Sequence, residues 1–202
     1  VAHYARFGFP FSLLVVALTL VALIFFSLGS YVPHVFWDGP TKSILWGNVN
    51  RLILAIGVVI FLVALLFDLT DPGRVTNRSD SGFWLHMVAA PMIVHALMSI
   101  FAWKSEGGVV PVFITFGVLA AIAIVVDRRA ILVAALSYLI TAVGIAASQA
   151  GFTGAQIGYL VPIAVGTGVV ALGVGWQAVR RGLWALLPRL GPLDRLRPAR
   201  AA

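Results

Sequence analysis

The chain has no cysteine, and only 10% of its 202 residues are charged. Without cysteine, disulfides, iron–sulfur clusters and cysteine-ligated zinc are excluded. The low charge excludes an ordinary soluble domain, in which roughly 25% of residues are charged. Acidic residues are the scarcer sign, with 7 Asp and Glu against 14 Lys and Arg. Most cations lie between apolar segments or in the C-terminal tail, where contact with anionic lipid explains them better than nucleic-acid binding does.

The sequence is instead made largely of long apolar runs. Hydrophobic residues make up 61% of the sequence, and its mean hydropathy is +1.03. A run of ~20 apolar residues matches the ~30 Å hydrocarbon core of a bilayer. The sequence therefore predicts an all-α, polytopic transmembrane bundle over residues 1–181, a single domain, followed by a basic interfacial tail over residues 182–202. The six predicted spans cover about residues 9–28, 44–67, 82–103, 109–126, 130–147 and 159–179.

The cations indicate how this bundle is oriented. On one side of the six predicted spans lie Arg6, Arg74, Arg78, Arg128, Arg129, Arg180, Arg181, Arg189, Arg195, Arg197 and Arg200. On the other side lie Lys42, Arg51 and Lys104. Because the cation-rich side of a membrane protein faces the cytoplasm, both termini are predicted to be cytoplasmic. The preference for Arg over Lys, with abundant Ala, Val and Gly, is typical of a GC-rich bacterial genome, so we expect the bacterial inner membrane.

Two histidines lie inside the third predicted span. His86 and His95 are nine residues apart, which places them on opposite faces of an ideal helix and roughly 13 Å apart along its axis. Ionisable side chains within hydrocarbon usually face the bundle interior. We predict that His95 is buried and hydrogen-bonds across the bundle, whereas His86 and Trp84 lie at the interface. Asp80 is predicted to be interfacial or to cap the helix.

The same histidines are the candidates for binding a cofactor. Because they point to opposite faces, they cannot share a metal ion or a haem iron. A haem b on either would need a further histidine on a facing helix, and the others, His3 and His34, lie outside the predicted hydrocarbon. We therefore expect no cofactor and no metal, and haem b remains the least favoured alternative.

A second polar group occupies the start of the second predicted span. Arg51 follows Asn48 by three residues, which places both on one helix face. One interpretation is an outward-facing polar vestibule formed by Asn48, Arg51 and His95, which would suit a small-solute or ion conduit. The other is that the span begins later and Arg51 extends to the outer headgroups. We favour the second interpretation.

No pattern of catalytic residues is present. Ser137 and Ser148 lack the glycine frame of an intramembrane serine protease, and no His-Glu-x-x-His motif occurs. The glycines of the last span repeat at a spacing of seven residues, as Gly166 with Gly173 and Gly168 with Gly175. Such small-residue stripes allow membrane helices to approach closely. We therefore predict a non-enzymatic accessory or structural subunit that packs against other membrane subunits or a second copy, with anionic lipid at its tail. A small-solute or ion conduit is the alternative.

One segment resembles a known group of sequences. Arg78-Ser79-Asp80, Phe83-Trp84-Leu85-His86, Ala89-Ala90-Pro91 and Ile93-Val94-His95 together are similar to a segment that recurs in uncharacterised multi-pass inner-membrane proteins of proteobacteria. The resemblance covers mainly residues 78–95. It implies a six-span topology and no particular activity.

Overall fold

The computed structural model describes residues 9–31, 41–102, 110–189 and 191–198. All regular structure within these ranges is helical, and none of these residues forms a strand. The protein is therefore all-α, as predicted. Its α-helices, in chain order, are α1 (Phe11–Tyr31), α2 (Thr41–Thr70), α3 (Asn77–Leu97), α4 (Val110–Val126), α5 (Ala130–Gln149) and α6 (Gly154–Leu186). A short π-helical turn, Met98–Ala102, continues α3, and a 3₁₀ turn, Gly191–Leu196, follows α6.

Four segments in the described part of the chain are long and apolar enough to cross a membrane. They are Asn48–Thr70, Asn77–Ile100, Ala130–Gln149 and Gly154–Leu186. Two shorter apolar helical segments, Phe11–Ser27 and Val110–Val126, accompany them. Each predicted span coincides with one helix, but α2, α3 and α6 extend further than predicted. Hydropathy detects the part of a helix that suits hydrocarbon, whereas polar first and last turns extend beyond it.

The chain divides into two compact units, Val1–Ile100 and Phe101–Ala202. In the first unit, α3 packs along α2 and against α1. Ala17, Ala64, Leu85 and Val88 form its buried centre, and larger side chains such as Phe67 and Met92 pack around them. Two of these four residues are alanines, which lets the helix axes lie close together.

The helices α2 and α3 approach each other closely at Gly57. A Cβ atom added there would lie 3.0 Å from the Met92 Cβ and 3.1 Å from the Ile93 Cγ1. Such distances are shorter than ordinary van der Waals contact, so only glycine fits without displacing α3. Gly57 belongs to α2, whereas the repeated glycines of the last predicted span belong to α6.

The second unit is formed by α4, α5 and α6. Asp127-Arg128-Arg129 makes a tight connection between α4 and α5. Asp127 adopts a left-handed conformation with φ 61°, and Arg128 donates its backbone N–H to the Ala123 carbonyl at 2.9 Å. Aspartate tolerates this conformation better than most residues because its short polar side chain can bond locally. The connection therefore reverses the chain within three residues.

The start of α3 differs from the prediction. Thr76 is its N-cap, and the Thr76 hydroxyl accepts the Arg78 backbone N–H. Asp71 in turn accepts hydrogen bonds from the Thr76 backbone N–H at 2.9 Å and from the Thr76 hydroxyl at 2.7 Å. These bonds, from the hydroxyl first and then from the backbone, hold the pKa of the Asp71 carboxyl below its ordinary value. The prediction that Asp80 caps the helix is wrong, because the helix begins three residues earlier and Asp80 lies exposed in its first turn.

Candidate functional site

A buried carboxylate–imidazole pair joins α2 to α3. His86 Nε2 lies 2.9 Å from Asp68 Oδ2, and the two side chains are 0% and 2% exposed. Asp68 lies two residues before the end of α2, and His86 lies nine residues after the start of α3. The two helices are antiparallel neighbours, so these positions face each other. The bond therefore fixes α2 and α3 in register near the loop that connects them.

The groups around the pair enclose it tightly. The Phe61 ring meets the imidazole edge-on, with centroids 5.0 Å apart. A Cβ atom added at Gly82 would lie 2.7 Å from Asp68 Oδ1 and 3.2 Å from the Ala64 carbonyl oxygen. The carboxylate thus occupies space that a side chain at position 82 would otherwise fill. The absence of a side chain at Gly82 therefore leaves the space in which the Asp68 carboxylate meets His86.

The enclosure limits the chemistry that His86 can perform. Its Nε2 is bonded to Asp68, and its Nδ1 is buried without a hydrogen-bond partner. An axial haem ligand must present one ring nitrogen to the iron, and neither nitrogen of His86 is open to a ligand. Within the described residues, no three His, Cys, Asp or Glu side chains cluster as a metal site would require. In this arrangement His86 serves as the hydrogen-bond partner of Asp68.

The prediction for the two histidines is reversed in the structure. His86, predicted at the interface, is fully buried, whereas His95, predicted to be buried, is exposed. Their opposite orientation on the helix is as predicted, because one faces α2 and the other faces outward. The error was the choice of the inner face. Asp68, the partner of the buried histidine, was not predicted as a site residue.

Trp84 also has a packing role. Its ring makes edge-to-face contacts with Phe11, with centroids 5.0 Å apart, and with Phe83, at 5.3 Å. Phe11 lies at the start of α1, so these rings hold the first turn of α1 against α3. Trp84 is half-buried in this aromatic group.

The predicted polar group lies at the start of the apolar segment Asn48–Thr70, about two turns into α2, and is exposed. Arg51 donates to the Asn48 side-chain oxygen at 3.4 Å, one turn earlier on the same helix. The two residues share a face, as their spacing predicts. This contact lies within a single helix, and it suits an arginine that extends toward the headgroups at the start of a span.

A second polar cluster closes one end of the second unit. The Asp127 carboxylate accepts the Trp176 indole N–H at 2.6 Å and lies 3.4 Å from an Arg180 guanidinium nitrogen. The Arg129 guanidinium lies over the Trp176 ring, 5.1 Å from its centroid. Trp184 donates to the Val125 carbonyl at 3.3 Å. One aspartate in the α4–α5 connection thus positions two side chains of α6.

The residues after α6 fold back onto this cluster. Arg180 donates to the Leu196 carbonyl oxygen, and Arg197 lies over the Trp184 ring at 5.1 Å from its centroid. Arg197 also pairs with Asp194 at 2.8 Å. Within the predicted interfacial tail, residues 182–186 complete α6 and residues 191–198 pack beside it. Trp184, which belongs to this predicted tail, is buried.

The glycines of α6 do not bring helices together within the second unit. A Cβ atom added at Gly166, Gly168, Gly173 or Gly175 would meet no other atom within 4 Å. The close approaches in the described residues lie at Gly57 and Gly82 instead. These two glycines are 25 residues apart on different helices, so no sequence repeat reveals them.

Each unit also has an apolar groove. The larger, about 490 Å³, lies between α1 and α2, and its floor includes Leu85 of α3. The smaller, about 140 Å³, lies between α4, α5 and α6 and has Arg129 and Trp176 in its lining. This groove of the second unit combines an apolar lining with a cation.

No protein-family model, curated protein or solved structure matches this chain.

Proposed function

We propose that the protein is a non-enzymatic subunit of a bacterial inner-membrane complex, which acts by packing its helices against another membrane subunit or a second copy. Anionic lipid at the basic C-terminal tail is part of this proposal. So is membership of the group of proteobacterial membrane proteins that residues 78–95 resemble.

The observation that supports the proposal best is the free face of α6. Only 6% of the most apolar stretch of this helix is buried within the chain. Its exposed face combines branched residues, among them Val170 and Val174 at 67% and 86% exposure, with the smaller Thr167 and Ala171 on the same face. Interfaces between membrane helices are enriched in small residues and in hydroxyl side chains, which lipid does not require. This composition favours a partner helix on that face.

The polar contacts within the helices favour packing over conduction. Asp68 and His86 bond to each other inside the first unit, and Asp127 bonds to Trp176 and Arg180 inside the second. Polar side chains that line a conduit must remain available to water or solute. Because these groups are directed at each other, they fasten helices together.

A photocrosslinking amino acid at position 174 tests the proposal. In native membranes, we expect Val174 replaced in this way to give one discrete adduct of defined mass. The matched control is the same replacement at Ile114, which is 63% exposed on α4. If position 174 gives only the monomer, or the same diffuse products as position 114, lipid covers this face and the packing proposal fails. An adduct at twice 21.5 kDa would identify a second copy as the partner.

The proposed topology has six spans with both termini in the cytoplasm. The sorting of cations between the two sides supports it, since each cation near an anionic leaflet is worth about 1 kcal/mol. A fluorescent reporter that folds only in the cytoplasm should be active when fused to the C-terminus, and alkaline phosphatase fused there should be inactive. The reverse activities are expected for both reporters inserted beside Lys104. Active phosphatase at the C-terminus would contradict the topology.

A further inference from the structure

The groove between α4, α5 and α6 is apolar along its length and cationic at one end. Its walls include Phe116, Leu136 and Val169, and Gly173 leaves it open on the α6 side. The end near the α4–α5 connection is formed by Arg129 and Trp176. A groove with this distribution of polarity fits a molecule that has an apolar chain and an anionic head.

The groove has the dimensions of part of an acyl chain. Leu136 and Val169 each lie seven residues from the cationic end, at Arg129 and Trp176 respectively, which corresponds to about 10 Å of helix. Its volume of about 140 Å³ resembles that of an engineered apolar cavity of about 150 Å³ that holds benzene. It is too small for a complete lipid and suits one chain segment.

The charge of Arg129 at the open end forms no ion pair with a carboxylate in the described part of the chain. Asp127, the acid closest in sequence, is engaged by Trp176 and Arg180. Arg129 is exposed and stacks on the Trp176 ring, and no described carboxylate pairs with it. Stacking orients the guanidinium while leaving its N–H groups available, and this geometry suits a phosphate. The first turn of α5 also lacks a side-chain cap and adds a favourable dipole.

We propose that this groove is a binding site for one anionic phospholipid, whose phosphate contacts Arg129 and one of whose acyl chains lies along α5 and α6. The proposal depends only on the membrane setting and is independent of any partner subunit. It differs from a general attraction of the basic tail to the membrane surface, because it requires one arginine and one groove.

Native mass spectrometry of the full-length protein in mild detergent tests the site. The probes are phosphatidylglycerol and phosphatidylcholine with the same acyl chains. We expect Arg129→Gln to weaken phosphatidylglycerol binding by about tenfold or more, since hydrogen bonds to charged groups are among the strongest. Phosphatidylcholine binding should be weak and should change little. The matched control, Arg181→Gln, removes the same charge from an exposed position on α6 and should alter binding by no more than about twofold.

A groove-filling variant tests the acyl-chain contact separately. Gly173→Leu places a side chain in the groove at a position where a Cβ meets nothing within 4 Å, so the helix should remain folded, as a thermal melt would show. We expect it to reduce the binding of both lipids. Equal losses in Arg129→Gln and Arg181→Gln would overturn the proposal in favour of diffuse attraction. Unchanged phosphatidylglycerol binding by Gly173→Leu would overturn the chain contact, and competition by glycerol 3-phosphate at the same concentration would indicate a soluble anion instead.

Discussion

Replacement of His86 by phenylalanine should lower the free energy of unfolding by about 3 kcal/mol. Phenylalanine keeps a ring beside Phe61 but has no nitrogen to bond to Asp68. Breaking a buried pair by removing one partner costs about 3 to 5 kcal/mol, mostly because the other partner is left buried. The lower end applies here, because Asp68 lies two residues from the end of α2 and can turn toward water.

The double variant separates the bond from the shape of the site. A leucine side chain has nearly the same shape as that of aspartate. The double variant Asp68→Leu with His86→Phe therefore removes both polar groups and leaves the volume filled. Replacing a buried pair by apolar residues is often neutral or stabilising. We therefore expect the double variant to recover most of the stability lost in His86→Phe. Unfolding in mixed micelles by increasing fractions of a denaturing detergent would measure the free energy of unfolding of the original protein, of His86→Phe and of the double variant.

The matched control for this prediction is His95→Phe. His95 is exposed on the opposite face of α3, so the same substitution should change the free energy of unfolding by less than about 1 kcal/mol. Equal effects at both positions would contradict a special role for the buried pair. If His86→Phe retained stability but abolished a pH-driven flux in proteoliposomes, the pair would line a conduit and the packing proposal would be wrong.

The positions of the helices could be predicted from the sequence because hydrocarbon imposes a minimum apolar length. The face of α3 that packs against α2 could not be predicted in this way. In a soluble helix, polar residues mark the side that faces solvent. In a membrane helix, both the core and the lipid are apolar, so the residues beside His86 and His95 do not distinguish the two faces. The partner of His86 was equally hidden, because Asp68 lies at the end of α2 and resembles part of the following loop.

The start of α3 was missed for a different reason. A threonine N-cap with an acidic first turn is a recognisable helix start, and Thr76 followed by Asp80 provides it. The prediction instead followed hydropathy, which rises only after Asp80 and indicates where the hydrocarbon-compatible part begins. The capping residue Thr76, rather than the rise in hydropathy, marks where α3 begins.

Replacement of Gly82 by alanine should destabilise the first unit by about 2 kcal/mol. The new Cβ would lie 2.7 Å from Asp68 Oδ1, closer than packed atoms approach. Asp68 cannot simply move aside, because its other oxygen is bonded to His86 and the Ala64 carbonyl lies 3.2 Å from the same point. Either the carboxylate gives up its bond or α2 and α3 move apart. Alanine has a higher intrinsic helix preference than glycine, which stabilises the helix by at most about 1 kcal/mol. The loss of stability from either outcome is larger than this gain.

Gly117→Ala on α4 is the matched control for this substitution. A Cβ atom added there would meet nothing within 4 Å, so alanine should be neutral or stabilise the helix by up to about 1 kcal/mol. The double variant Gly82→Ala with Asp68→Ala identifies the cause, because shortening the aspartate makes room for the new methyl group. If the clash with the carboxylate is responsible, Gly82→Ala should add little further loss once Asp68 is alanine. A full additional loss in the double variant would instead place the conflict at the Ala64 backbone and separate the glycine from the pair.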